Sequence, residues 1–85
     1  MNDLVITFPS SNHAIAAEYI CKSAGMEMEL IPTPREISSN CGFSLLIYRN
    51  DPKKIRQILE KEDIPFAKIF IIQQPNGEKY YEEIN

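Results

Sequence analysis

MEMELIPTPREISSNCGFSLLIYR, residues 26 to 49, decides how the rest of the chain is read. Over residues 26 to 31, Met26, Met28 and Leu30 alternate with Glu27 and Glu29. A period of two is that of a strand with one buried and one wet face, as at the edge of a sheet. FSLLIYR, residues 43 to 49, is more evenly apolar and predicts a strand in a more covered position. Consecutive antiparallel strands are commonly joined by about two to five loop residues. Here residues 32 to 42 intervene, so this connection is long for so small a protein.

Working upstream, LVITF (residues 4 to 8) is short, apolar and β-branched, which predicts another strand. Pro9 and Ser10 break it, and Ser11 is placed to cap a helix whose apolar stripe is Ala14, Ala17, Cys21 and Ala24, with Ile20 beside it. Gly25 supplies the stop. Downstream, Asp51 caps a second helix and Pro52 takes its first position, where no N–H is missed. Ile55, Ile58 and Leu59 form its inner stripe, with Lys53, Lys54, Arg56, Glu60 and Lys61 outside. Pro65 closes that unit, and AKIFIIQQ (residues 67 to 74) predicts a fourth strand. In the tail, Asn76-Gly77 is a turn signal from which a short fifth strand folds back.

The order β-α-β-β-α-β predicts an α+β fold, the ferredoxin-like split βαβ sandwich, with both helices on one sheet face. Right-handed crossovers then set the first and third strands at the centre. A chain of 85 residues is expected to be one domain over residues 1 to 85, stable by only a few kcal/mol, so pairing into a homodimer would help it. Apolar residues at 44% and charged ones at 25% describe an ordinary globular composition. The net charge of -3 removes the electrostatic case for nucleic acid. No apolar run approaches the roughly 20 residues of a membrane helix, so no membrane role is expected. The start lacks the pattern of a signal peptide, and two cysteines are too few for a disulfide scaffold; both fit a reducing, cytoplasmic setting.

The long loop is built to be stiff. Pro32 and Pro34 fix two φ angles and bias Ile31 and Thr33 toward extended backbone. Ser38, Ser39 and Asn40 are types that bond to nearby backbone, and Gly42 permits a backbone angle or a close approach that a side chain would forbid. Cys41 therefore stands at the end of a braced loop, just before a central strand. That suits thiolate chemistry. A free cysteine has a pKa of about 8.5, and bringing it to about 7 takes roughly 2 kcal/mol of differential stabilisation. Backbone N–H groups around Ser38, Ser39, Asn40 and Gly42 would supply part of this as an anion nest, and Arg35 would add a charge if folded back. The bland reading stands beside it, since a lone cysteine next to glycine also serves as packing. Cys21, on the helical stripe, is read as buried.

Other sites are weaker. His13 has no second histidine and no carboxylate at ligand spacing, and Glu27 and Glu29 are explained by alternation. No zinc spacing, phosphate loop or Ser/His/Asp signature occurs, so no metal or cofactor is expected.

The run LIPTPREISSNCGFSLLI (residues 30 to 47), with its P-x-P-R-E-x-S-S-x-C-G pattern, resembles a family of small bacterial domains described as selenium/sulfur carrier-like proteins. HAIAAEYICKSAG (residues 13 to 25) and the charged segment after DPKK support the resemblance, which covers nearly the whole chain. Such domains are also found fused behind a TusA-like sulfur-carrier domain, whose Cys-Pro-x-Pro motif this chain lacks. The resemblance implies that Cys41 carries sulfur or selenium as a persulfide or perselenide, exchanging it with donor and acceptor proteins in stoichiometric transfer rather than enzymatic turnover. Two alternatives follow from the residues. One is a non-catalytic interaction module that docks through loop 32–42 and the residue 26–31 edge. The other is a small thiol-transfer enzyme, for which Cys21 is ill placed as a resolving cysteine.

Overall fold

The computed structural model describes residues 2–38 and 42–84. Ser39, Asn40 and Cys41 lie outside the described residues. The elements are β1 (Asn2–Thr7), α1 (Ser11–Ser23), β2 (Met28–Pro32), β3 (Phe43–Asn50), α2 (Pro52–Lys61), β4 (Lys68–Gln73) and β5 (Tyr80–Ile84). All strand pairs are antiparallel, in the order β2-β3-β1-β4-β5. This is the ferredoxin-like sandwich extended by a fifth strand. β3 and β1 lie side by side in the interior, and β5 covers the outer edge of β4. The tail turns at Gly77, whose φ of 83° is open to glycine and strained for other residues.

One face of the sheet carries both helices. Leu4 and Ile6 of β1, Leu45 and Ile47 of β3 and Ile69 of β4 pack with Ala17 and Cys21 of α1 and with Ile55 and Leu59 of α2. Each such side chain, fully removed from water, contributes about 1.5–3 kcal/mol, before the cost of ordering the chain is subtracted. Burial also raises the pKa of the Cys21 thiol, so this cysteine is an inert packing group.

The helix ends refine the sequence reading. Ser10, not Ser11, is the cap of α1: it is still extended (φ -150°, ψ 162°), and its Oγ accepts from the His13 backbone N–H. Pro9 ends β1, the chain stays extended at Ser10, and helical geometry begins at Ser11. At the other end, Gly25 (φ 79°) donates its N–H to the Lys22 carbonyl at 3.0 Å, and Met26 donates to that of Cys21 at 3.1 Å. Two such bonds around a left-handed glycine form a Schellman motif. It explains two departures from the expected pattern. Ala24 is the exposed C-cap and not part of the buried stripe, and Met26 belongs to the helix stop, so β2 begins at Met28. For α2, Asp51 and Pro52 act as read, with Asp51 Oδ1 accepting from the Lys53 N–H at 3.0 Å. Arg56, expected outside, is half-buried with its guanidinium 5.9 Å from the centre of the Phe66 ring.

Candidate functional site

The antiparallel register brings the C-terminal ends of β1 and β2 and the N-terminal ends of β3 and β4 to one end of the sheet. Thr7 stands opposite both Ser44 and Lys68, and Pro32 stands opposite Phe43. The N-terminus of α1 starts two residues beyond Pro9 at the same end. Thr33, Ile37, Ser38 and Gly42 of the β2–β3 connection lie at this end as well.

The base of that connection is zipped. The Thr33 N–H donates to the Gly42 carbonyl at 3.0 Å, one rung beyond the last strand pair. Pro34 then opens a single helical turn, its carbonyl accepting from the N–H groups of Ile37 at 3.0 Å and Ser38 at 3.1 Å. Proline suits that position because it sets φ and needs no N–H bond. A second clamp joins the loop to β3: the hydroxyls of Thr33 and Ser44 share a hydrogen bond of 2.7 Å, and Ser44 is completely buried. Burying a hydroxyl without a partner costs about 1–3 kcal/mol, so this pair fixes where the loop leaves the sheet.

Between the loop, the sheet end and α1 lies a cleft of about 560 Å³. Thr7, Ser10, Thr33, Ser38, Gly42 and Lys68 are among the residues that line it, with Ile37 and the exposed ring of Phe43 as apolar wall. The Thr7 hydroxyl accepts from the Lys68 N–H at 3.1 Å, and the Thr7 carbonyl accepts from the Ala67 N–H at 2.8 Å. Lys68 is the cation lining this cleft among the described residues. Its Nζ lies 3.5 Å from a Glu83 carboxylate oxygen, an exposed pair. The cleft thus combines hydroxyls, one ammonium and a small apolar wall beside a helix start, a lining suited to a small polar or anionic group.

The residues singled out from the sequence fall in different places. Ser38 and Gly42 line the cleft. Arg35 is exposed on the loop's helical turn and is not among the lining residues. Ser39, Asn40 and Cys41 lie outside the described residues, between those two flanks. Gly42 does not need glycine's freedom: its φ is outside the left-handed region, and a Cβ there would meet no described atom within 4 Å beyond its chain neighbours. His13 is half-buried, and its Nδ1 is 3.0 Å from the Ser10 Oγ that also caps the helix. Thr7, Thr33, Ser44 and Lys68 were not singled out. Their signal was topological, since the predicted strand order already sends those strand ends to the same side as the loop.

Among the described residues there is no group of three or more His, Cys, Asp or Glu that would hold a metal ion, and no helix long and apolar enough to cross a membrane. Neither a curated protein nor a solved structure matches the chain. A family does: the chain belongs to the family described as Putative Se/S carrier protein-like, which it matches over residues 3–71.

Proposed function

We propose that the protein carries reactive sulfur or selenium on Cys41. Membership of the family carries this reading, because residues 3–71 span every element that builds the cleft, the Cys41 loop included. The cleft supports it, because Ser38 and Gly42 line it from either side of the segment that contains Cys41.

The chemistry is a redox-neutral exchange. The Cys41 thiolate attacks the terminal sulfur of a donor protein's persulfide. A new S–S bond forms on Cys41, the donor's own S–S bond breaks, and its electron pair leaves on the donor thiolate. An acceptor nucleophile then attacks the terminal sulfur and returns Cys41 to the thiolate. With selenium as the terminal atom the same bookkeeping gives a perselenide. In this reading the backbone N–H groups around Ser38, Ser39, Asn40 and Gly42, with Arg35, stabilise the anion that appears in both steps. Donor and acceptor are other proteins, and transfer is stoichiometric.

The test is to offer a protein persulfide donor and weigh the intact chain. Wild type and Cys21→Ala should gain the mass of one sulfur atom, and Cys41→Ser should gain nothing. No adduct on wild type, or the same adduct on Cys41→Ser, sinks the proposal. An alkylation-rate profile against pH should place the Cys41 thiol below about 8.5. Docking through loop 32–42 as a non-catalytic module is the reading that would then remain.

A further inference from the structure

The sheet face turned away from the helices is apolar at its centre and acidic along one side. An outward face left to water normally carries polar residues. The registers instead set Glu29, Leu46, Val5, Phe70 and Glu83 in one row across β2, β3, β1, β4 and β5. Val5 is 1% exposed and Phe70 6%, although both lie outside the core that the helices cover. Leu46, Tyr48, Ile72 and Tyr81 surround them, each half-buried, with Ile72 paired to Tyr81. These four side chains are the part of the band still open to a covering layer.

The charges say what kind of layer fits. Beside β2, the carboxylates of Glu29, Asp3 and Glu27 act on the Tyr48 hydroxyl, and after burial they hold it above the usual tyrosine range. Asp3 also accepts from the backbone N–H of Arg49 at 2.9 Å. Among the described residues, none of the three forms an ion pair with a lysine or arginine. Across the face, Glu83 is already matched by Lys68, and the Lys79 ammonium lies 5.6 Å from the centre of the Tyr81 ring. The unmatched charge therefore lies on the β2 side and is negative. A second copy of the chain does not supply the opposite sign. Stacked about an axis along β1 it sets Glu29 over Glu83, and about an axis across the strands it sets β2 over β2.

We propose that this face seats an amphipathic helix of a partner protein, with its apolar stripe on Leu46, Val5 and Phe70 and a lysine- or arginine-bearing flank over Glu27 and Glu29. The dimensions agree. A helix with its side chains is about 10–12 Å across, which at about 4.8 Å per strand covers β3, β1 and β4. Its flank then stands one strand from the β2 carboxylates. A lysine or arginine stem spans that gap while its methylenes lie on the apolar band. Stripe and sign are both required, so the contact accepts basic amphipathic helices and rejects acidic ones. The same face runs on to Ser44, Thr7 and Lys68, two residues further along β3, β1 and β4. Thr7 and Lys68 line the cleft, so the seated helix ends beside the base of loop 32–42. A protein exchanging sulfur with Cys41 would stand there. The docking itself does not depend on the chemistry of Cys41, and its failure leaves the carrier reading standing.

The test titrates the full chain into a fluorescein-labelled synthetic peptide of about five helical turns, with a leucine stripe flanked by lysines, and follows anisotropy. The peptide should bind, and less tightly as salt rises. The same peptide with glutamates for lysines, or with its stripe scrambled at constant charge, should bind at least about tenfold more weakly. Leu46→Lys, at a half-exposed position, should weaken binding of the lysine peptide at least about tenfold while leaving far-UV circular dichroism unchanged. Should that variant fail to fold, the charges supply the reading. Glu27→Lys combined with Glu29→Lys should weaken binding. Glu60→Lys combined with Glu62→Lys, the same change of net charge at exposed positions by the end of α2, should not. No binding of the lysine peptide, equal binding of the scrambled one, a folded Leu46→Lys that binds as tightly, or equal losses from the two charge-reversed pairs overturns the proposal. So does a chain that sediments at twice 9.8 kDa and loses that mass in Leu46→Lys, because a second copy then fills the face.

Discussion

Leu45 and Leu46 are neighbours in the chain, identical in type, and opposite in situation. Leu45 faces the helices and is completely buried; Leu46 faces the other way, lies across from Val5, and is half-buried. The difference shows that β3 has one face finished by its own chain and one face left with apolar side chains and no helix above them. A small fold with two helices and five strands can cover only one side of its sheet.

The largest effect should come from the finished face. Leu45→Ala removes a side chain from a closed core, and such cavities cost about 2–5 kcal/mol. For a domain of this size that is most or all of its stability, so the variant should be substantially unfolded at room temperature by denaturant titration. Leu46→Ala should cost about 1 kcal/mol in dilute solution, where only part of its surface is removed from water. Equal losses for Leu45→Ala and Leu46→Ala would erase the distinction between the faces.

Much of this was legible in the sequence because the signals were periodic. LVITF and FSLLIYR stood out as the covered strands, and the Asp51-Pro52 start and the Gly25 stop were read from residue type alone. The one-residue error at Ser10 and Ser11 arose because two adjacent serines offer the same cap, and only the backbone decides which stays extended. The Met26 assignment failed because alternation over MEMELI is also satisfied when its first member packs as part of a helix stop. The candidate site was half legible. The long loop declares itself by its length and by Pro32 and Pro34, but Thr7, Ser44 and Lys68 sit far away in sequence on ordinary strands. Nothing in their local context marks them, and only the sheet register brings them together.

The clamp that seats the loop gives the next effect in size. Ser44→Ala removes one partner of the 2.7 Å bond and leaves the half-buried Thr33 hydroxyl to find another. The loss should be about 1 kcal/mol, measurable by denaturant titration. Its more telling consequence is local. The Thr33 N–H to Gly42 bond should exchange with solvent faster, while amides in the β1–β3 ladder keep their protection. Uniform acceleration across the sheet would mean that Ser44 serves the fold as a whole and not the seating of the loop.

The smallest effect sharpens the open face by its charges. Tyr48 has its pKa raised, first by burial and then by Glu29, Asp3 and Glu27, so the folded state favours the protonated hydroxyl. The sign follows from proton counting. Above the ordinary tyrosine value of about 10, the unfolded chain has released this proton while the folded chain still holds it. The stabilisation is therefore complete below that value and is lost as pH rises through the window up to the folded pKa. Tyr48→Phe should give a shallower alkaline limb in a plot of unfolding free energy against pH, with little change near neutrality. Glu29→Gln removes the largest of the three carboxylate contributions and should lower the tyrosine's spectrophotometric titration midpoint. If Tyr48 titrates unchanged in Glu29→Gln, the carboxylates beside it do not govern its hydroxyl.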